Sequence, residues 1–293
     1  MTPIERYPDL AKVIGLSGLY FKREDLHPYG SHKGRSIPPM IDHYRKNGES
    51  RFAISSSGNA ALAAALHINK INAEKDRPVS LDIFVGNHIA PHKLEKLKVI
   101  AAKAEGGRMR ILTKERPLQA LAQAVEEGFR SLRQSTDDEA LAGYAALAEE
   151  LAVVKDIGAA VIGTSSGTTA QALAEYFLKN RLPIQVHIVQ TPSCHPMSDA
   201  FETYDGPDEI SDADAIVDQT AHRKAKLVSF IEKTGGYGWT ASNDDIRSAQ
   251  ELTKKHTGLE ISANSALSVV GAMQIAYRGH EAKGAIVCMI CGD

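Results

Sequence analysis

The hydrophobic positions of this chain follow two different spacings. Short apolar or β-branched runs typical of buried strands occur at Leu19–Lys22, Phe52–Ser55, Leu81–Val85, Met109–Leu112, Ala160–Gly163, Ile184–Val189 and Ile286–Cys291. Helical spacing marks longer segments between most of them: Ala60–Ile71, Lys93–Ala104, Leu118–Leu132, Ala140–Val154 and Thr168–Leu178. This alternation predicts an α/β fold with a largely parallel sheet. Ligands of such sheets bind at the carboxyl ends of strands, so residues that directly follow a strand are the candidates for function.

One segment has no clear periodicity. Phe201–Asp218 is acidic and rich in Asp and Gly, which favours a mobile, solvated surface loop. The alternative interpretation is a lid near the site.

Composition narrows the classes of function. The chain has 293 residues, 43% of them hydrophobic, which is enough for a large core in one or two domains. The 34 Lys and Arg residues against 36 Asp and Glu give a net charge of −2, which disfavours nucleic acid and anionic membranes as partners. The segment 1–6 lacks the apolar core of a signal peptide, and 285–291 is too short to span a bilayer. We therefore expect a cytoplasmic protein.

The cysteines do not predict a disulfide framework or a metal site. There are three, Cys194, Cys288 and Cys291, and an odd, sparse set disfavours disulfides. Cys288 and Cys291 form a C-x-x-C within a predicted buried strand, where residues three apart point to opposite faces. We expect no metal.

Three turns after strands carry candidate chemistry. In the first, Ser31 offers a helix N-cap just before Lys33. Neighbouring cations and the helix end favour the neutral amine of Lys33, which is the form that attacks an aldehyde. In the second, Ser56, Ser57 and Gly58 precede Asn59, and together they expose backbone N–H groups and one amide side chain. The alternative for Lys33 is a solvated surface lysine. The alternative for the second turn is a simple helix cap by Ser57 or Asn59, with no ligand.

The third turn predicts a phosphate-binding loop. It follows a strand and opens a helix with the residues Gly163, Thr164, Ser165, Ser166, Gly167 and Thr168. Its backbone N–H groups, its hydroxyls and the helix dipole suit a phosphate. It matches neither the Walker pattern nor G-x-G-x-x-G, so nucleotide cofactors are disfavoured.

The order of these turns resembles the fold-type II pyridoxal 5′-phosphate (PLP) enzymes, the tryptophan-synthase-β-like family. Pro28–Arg35 reads P-Y-G-S-H-K-G-R and is similar to the family motif P-x-G-S-x-K-x-R. Ser57–Asn59 and Gly163–Thr169 resemble its asparagine and phosphate loops. Three further segments are similar to family segments in the same order: Asp137–Tyr144, Glu260–Ala266 and Ile290–Gly292. Gly34, Ile261 and the Ser165-Ser166 pair depart from the usual patterns.

The resemblance implies two open, twisted, mostly parallel sheets flanked by helices. A large PLP-binding domain would take 1–50 and 146–293, and a small domain 51–145. Lys33 would carry PLP as a Schiff base and remove the α-proton of an amino acid. Asn59 would bind the ring hydroxyl, Gly163 to Thr168 the phosphate, and the Ser56–Gly58 turn the substrate carboxylate. A homodimer is also expected.

Cys291 is implied to face the pyridine nitrogen. A thiol stabilises a protonated ring poorly, so β-elimination or replacement is favoured over racemisation. The resemblance is greatest to threonine synthase, which releases phosphate from a phosphorylated homoserine. That second phosphate could be bound with the help of Lys22, Arg23, His32 and Arg35. Arg23 could instead pair with Glu24 or Asp25. The alternatives are an ammonia-lyase for serine or threonine, a diaminopropionate-type lyase, or a PLP-binding subunit without catalysis.

Overall fold

A computed structural model describes residues 1–74, 77–87, 89–104 and 108–292. Contacts divide the chain into two compact units, one formed by 1–27 and 144–293 and the other by 28–143. Residues 28–50, which the sequence assigns to the large domain, group here with the second unit, because their helix packs into that unit's core. The domain bounds themselves stay a prediction.

The strands in chain order are β1 (Ile4–Arg6), β2 (Leu19–Arg23), β3 (Arg51–Ser55), β4 (Ser80–Gly86), β5 (Met109–Lys114), β6 (Arg130–Ser131), β7 (Ile157–Gly163), β8 (Gln185–Gln190), β9 (Gly238–Thr240) and β10 (Ala285–Ile290). The helices are α1 (Pro8–Ile14), α2 (Ile37–Lys46), α3 (Asn59–Ala73), α4 (Pro91–Ala101), α5 (Pro117–Glu126), α6 (Glu139–Ala142), α7 (Ala145–Ala152), α8 (Thr168–Lys179), α9 (Lys224–Thr234), α10 (Asn243–Thr257) and α11 (Ala263–Tyr277).

The first unit is built on a six-stranded sheet in the order β1-β2-β10-β7-β8-β9. Only β1 runs antiparallel to its neighbour. Helix α11 packs against β7, β8 and β10, with α1 and α10 beside it, while α8 and α9 pack against β8. Every residue of β10 is buried, as expected for a central parallel strand that is covered on both faces.

The second unit has a four-stranded parallel sheet in the order β5-β4-β3-β6. Its main core lies between this sheet and α2, α3 and α4. A smaller core cluster forms where α5 packs against β3 and β4.

Two predicted helices differ from the structure. The segment 118–132 is helical only to Glu126, because Gly128 adopts a left-handed φ of 87° and turns the chain into β6. The segment 140–154 is split into α6 and α7 at Gly143. A Cβ at Gly143 would collide with the backbone carbonyl of Arg35, so the glycine lets the two segments approach closely.

A buried histidine in the first unit is expected to lower its stability in acid. His187 in β8 is 0% exposed and its ring is stacked with Trp239. Burial, with a smaller contribution from His280, lowers the pKa of His187 to about 3. An unfolded histidine takes up its proton near pH 6.5. Between these two values the unfolded state binds more protons, so the free energy of unfolding falls as the pH drops.

We predict that His187→Phe reduces this acid sensitivity. Between about pH 6.5 and about pH 5, the wild type should lose about 2 kcal/mol more free energy of unfolding than the variant. Denaturant titrations at the two pH values measure the difference. The matched control is His222→Phe, because His222 is exposed. If the wild type and His187→Phe lose the same free energy of unfolding, then His187 does not cause the acid sensitivity.

Within the described ranges, no helix combines the length and the apolar character needed to cross a membrane.

Candidate active site

The predicted phosphate loop lies at the carboxyl end of β7 and at the amino end of α8. Gly163 ends β7 under α11, and a Cβ there would lie 2.8 Å from Leu267 Cβ and 2.9 Å from the Asn264 carbonyl oxygen. Gly167 precedes α8 with a left-handed φ of 76°, and a Cβ there would meet Leu227 at 2.6 Å. Both glycines are therefore required by the local packing.

Hydroxyl groups fix the shape of this loop. Thr164 Oγ1 accepts a hydrogen bond from the Gly167 N–H at 3.1 Å, and Ser166 Oγ lies 2.9 Å from Thr168 Oγ1. The first N–H groups of α8 have no acceptor within the helix itself, and the helix dipole favours an anion at this end. The loop thus fits a phosphate group.

Ser165 links this loop to the acidic segment 201–218. Its Oγ accepts hydrogen bonds from the backbone N–H groups of Val217 (2.9 Å) and Asp218 (3.0 Å). Ala213 and Ile216 in the same segment are buried in the core of the first unit. The interpretation of this segment as a mobile, solvated loop is therefore wrong for its last third, which is packed and hydrogen-bonded.

Cys291 follows β10, the strand that neighbours β7. Its side chain is buried, with the residue 5% exposed. Its backbone N–H donates to Ser265 Oγ at 3.0 Å, and Ser262 Oγ donates to the Gly292 carbonyl at 3.0 Å. The amino end of α11 therefore fixes the position of Cys291. Ser262 and Ser265 lie in the segment that resembles the family, but the sequence alone gave them no role.

The C-x-x-C cysteines have different surroundings. Cys288 Sγ contacts the Ser268 carbonyl at 3.2 Å, whereas Cys291 Sγ contacts the Met289 carbonyl at 3.5 Å. Burial raises the pKa of the Cys288 thiol, and all three cysteines are free. Among the residues that the structure describes, no group of three or more His, Cys, Asp or Glu side chains is arranged to hold a metal ion.

Lys33 lies in the second unit, on a short 3-10 helix formed by His32–Arg35. Ser31 caps this helix by accepting the Lys33 N–H at 3.3 Å, as its position in the sequence predicts. Directly after the turn, Ser36 Oγ donates to the Ala140 carbonyl at 2.6 Å. The Asp137–Tyr144 segment, noted in the sequence only for its resemblance, thus helps to hold the lysine turn.

The amide-bearing turn also lies in the second unit. Ser56 Oγ accepts the Gly58 N–H at 3.3 Å, Ser57 is exposed, and Asn59 is the first residue of α3. Helix α3 packs against the 3-10 helix that carries Lys33. The structure therefore brings the Lys33 and Asn59 turns together within one unit, and the phosphate loop and Cys291 onto adjacent strands of the other.

Two basic residues expected near a substrate phosphate are already paired. Lys22 is 0% exposed; its Nζ pairs with the Glu150 carboxylate and donates to the Thr2 carbonyl at 2.7 Å. Arg23 pairs with Asp25 at 2.7 Å. The expectation that Lys22 binds a substrate phosphate is wrong, because a buried ion pair keeps it from solvent, and Arg23 takes the alternative pairing with Asp25.

Two open, mostly parallel sheets flanked by helices are the fold of the fold-type II PLP enzymes. The model of the family described as pyridoxal-phosphate dependent enzyme matches residues 1–292, and the chain belongs to that family. The family resemblance, the predicted fold class and PLP as the cofactor are thereby confirmed.

Individual relatives are distant. A curated threonine synthase from Methanocaldococcus jannaschii is 23% identical over 309 residues, which cover 99% of this chain and 74% of that protein. The crystal structure of a pyridoxal 5′-phosphate-dependent aspartate racemase aligns with a TM-score of 0.81 at 20% identity, covering 99% of this chain and 89% of the other. Threonine deaminase isoform 2 from Solanum lycopersicum aligns with a TM-score of 0.79 at 19% identity, covering 99% and 83%. At these identities the structural likeness shows the fold alone.

Proposed function

We propose that this PLP enzyme is a lyase that removes the α-proton of an amino acid and catalyses β-elimination or replacement. The first candidate is a threonine-synthase-like reaction, in which O-phosphohomoserine and water give threonine and phosphate; the phosphate leaves from Cγ and the hydroxyl group from water is added at Cβ. It is supported by the threonine synthase relative, whose match covers 99% of this chain, and by the resemblance of Pro28–Arg35. PLP supplies an electron sink for the bond that breaks.

Each residue of the site has a proposed task. Lys33 would hold PLP through its amine and move the α-proton of the substrate, and its capped turn positions the lysine. Asn59 would donate to the ring hydroxyl, and the loop from Gly163 to Thr168 would hold the phosphate. The turn formed by Ser56, Ser57 and Gly58 would bind the substrate carboxylate. A homodimer is also proposed, and light scattering of the purified protein tests it.

The observation that carries the choice of reaction is the buried thiol of Cys291 at the carboxyl end of β10. A carboxylate there would stabilise a positive charge on the pyridine nitrogen, whereas a thiol does so poorly. A neutral ring is a weaker electron sink. Such a sink would suit β-elimination or β-replacement, in which the leaving group departs soon after the α-proton is lost, more than loss of a phosphate from Cγ.

A second candidate is an ammonia-lyase for serine or threonine, or a diaminopropionate-type lyase. The paired states of Lys22 and Arg23 favour it, because they remove two of the four basic residues expected to hold a substrate phosphate. A PLP-binding subunit without catalysis is the third candidate, and the presence of Lys33 in the segment that resembles the family motif speaks against it.

One screen distinguishes the three. The PLP-loaded protein is mixed with O-phosphohomoserine, serine, threonine or 2,3-diaminopropionate, while absorbance, phosphate, ammonia and keto acid are measured. Phosphate release from O-phosphohomoserine supports the first candidate, and ammonia with a keto acid supports the second. Spectral changes without any product would favour the third and contradict a lyase. Lys33→Ala is the control for background release.

A further inference from the structure

A chain of hydrogen bonds leads from a half-exposed carboxylate to the loop before Lys33. Tyr29 Oη lies 2.8 Å from His67 Nδ1, and His67 Nε2 lies 2.9 Å from Asp42 Oδ1. Asp42 belongs to α2 and His67 to α3, while Tyr29 lies four residues before Lys33. All three residues belong to the second unit.

The partners fix the direction of each hydrogen bond. A carboxylate accepts, so His67 Nε2 is the donor to Asp42, while the Tyr29 hydroxyl lies against the other ring nitrogen, Nδ1. Burial, with a smaller contribution from Asp42, raises the pKa of Tyr29, so its phenol remains the donor to Nδ1. His67 is 7% exposed and the Asp42 side chain 46%. The histidine is therefore oriented by its two partners.

This chain joins the lysine loop to the helix that begins with Asn59. The Tyr29 ring packs on the core of the second unit and meets the His67 ring edge-on, with centroids 5.8 Å apart. The next residue, Gly30, has a left-handed φ of 77° and lies over Leu62 of α3. Ser31 then caps the turn of Lys33. A shift of Tyr29 along α3 would thus move Lys33 relative to Asn59.

We propose that the hydrogen-bonded residues Asp42, His67 and Tyr29 form a positioning relay. This relay fixes the position of Lys33 relative to the amino end of α3 and so controls covalent attachment of PLP. This inference rests on the proposed role of Lys33. The three residues are positioning residues, since they act through the lysine loop. Tyr29 is the member whose hydroxyl can be removed with the least disturbance of packing.

The test compares Tyr29→Phe with the wild type after PLP is added to the cofactor-free protein. The rate of covalent attachment is followed by visible absorbance and by borohydride trapping at Lys33, with total bound PLP measured separately. Loss of one oriented hydrogen bond should slow attachment by about tenfold, while total bound PLP and the melting temperature stay near wild type. Tyr277→Phe is the matched control, because Tyr277 is 89% exposed.

Two substitutions of His67 separate positioning from general stability. In His67→Asn the amide occupies the place of Nδ1 and still meets Tyr29, whereas in His67→Gln it occupies the place of Nε2 and meets only Asp42. We expect His67→Asn to attach PLP faster than His67→Gln, which should match Tyr29→Phe. A purely structural histidine would give equal rates in both variants, and that result would overturn the relay.

The outcome also distinguishes the two proposals. If the wild type attaches PLP at Lys33 and Tyr29→Phe does so at the same rate, the relay is wrong while the role of Lys33 stands. If the wild type attaches no PLP at Lys33, the proposed function is wrong, and the relay with it.

Discussion

Lys33→Ala is expected to abolish covalent attachment of PLP and to lower turnover by about 10³-fold or more. The variant would lose both the amine proposed to link the cofactor and the base proposed to move the α-proton, and general-base catalysis alone contributes about 10²- to 10⁴-fold. The fold should be retained, because the cap from Ser31 and the Ser36 hydrogen bond to Ala140 do not use the lysine side chain. Borohydride trapping with peptide mapping measures the linkage, and product assays measure turnover.

The matched control is Lys46→Ala, which removes an exposed lysine from the same unit. It should keep the visible absorbance and the activity of the wild type. Total PLP retained by Lys33→Ala tests the phosphate loop separately, since the proposed binding of the phosphate does not use the lysine. If borohydride labels another lysine in the wild type, or if Lys33→Ala keeps its linkage, then Lys33 is not the attachment site.

The strands that place this site could be predicted, and the reason is their burial. β7, β8 and β10 are parallel and covered, so their sequences are continuous apolar runs. Strands β1, β6 and β9, which the sequence did not predict, are two or three residues long. Such short segments cannot show an alternation of apolar and polar residues. The split between α6 and α7 was missed because it depends on a close approach to a distant segment at Gly143.

The candidate site was predictable where it depends on local sequence. Ser31 caps the turn of Lys33 two residues away, and the Thr164 hydroxyl bonds the Gly167 N–H three residues away. Three features were not predictable in this way: the contact of Ser165 with Val217, the bond from Cys291 to Ser265, and the contact of Tyr29 with His67. Each of these contacts joins residues far apart in the chain. Neither hydrophobic periodicity nor a local motif in a single sequence predicts which distant residues will meet.

Cys291→Asp is expected to change the reaction, whereas Cys291→Ser should retain most of it. Serine keeps a small, neutral partner at the end of β10. A carboxylate within about 4–6 Å of the pyridine nitrogen would raise the pKa of that nitrogen by about 1–3 units, which increases the protonated fraction of a weakly basic ring by about 10- to 1,000-fold. The stronger electron sink should slow elimination or replacement and permit racemisation. Long-wavelength absorbance and chiral analysis of recovered substrate measure these changes.

The same pair of variants also gives a result that does not depend on turnover. Position 291 is buried, and a buried carboxylate is costly unless a cation meets it. We therefore expect PLP to raise the melting temperature of Cys291→Asp more than that of Cys291→Ser, because the protonated ring supplies the missing charge. The cofactor-free Asp variant should be the least stable of the set. If Cys291→Asp behaves like the wild type in absorbance, products and PLP-dependent stability while Cys291→Ser is inactive, then Cys291 does not face the ring nitrogen, and the choice of elimination or replacement loses its physical basis.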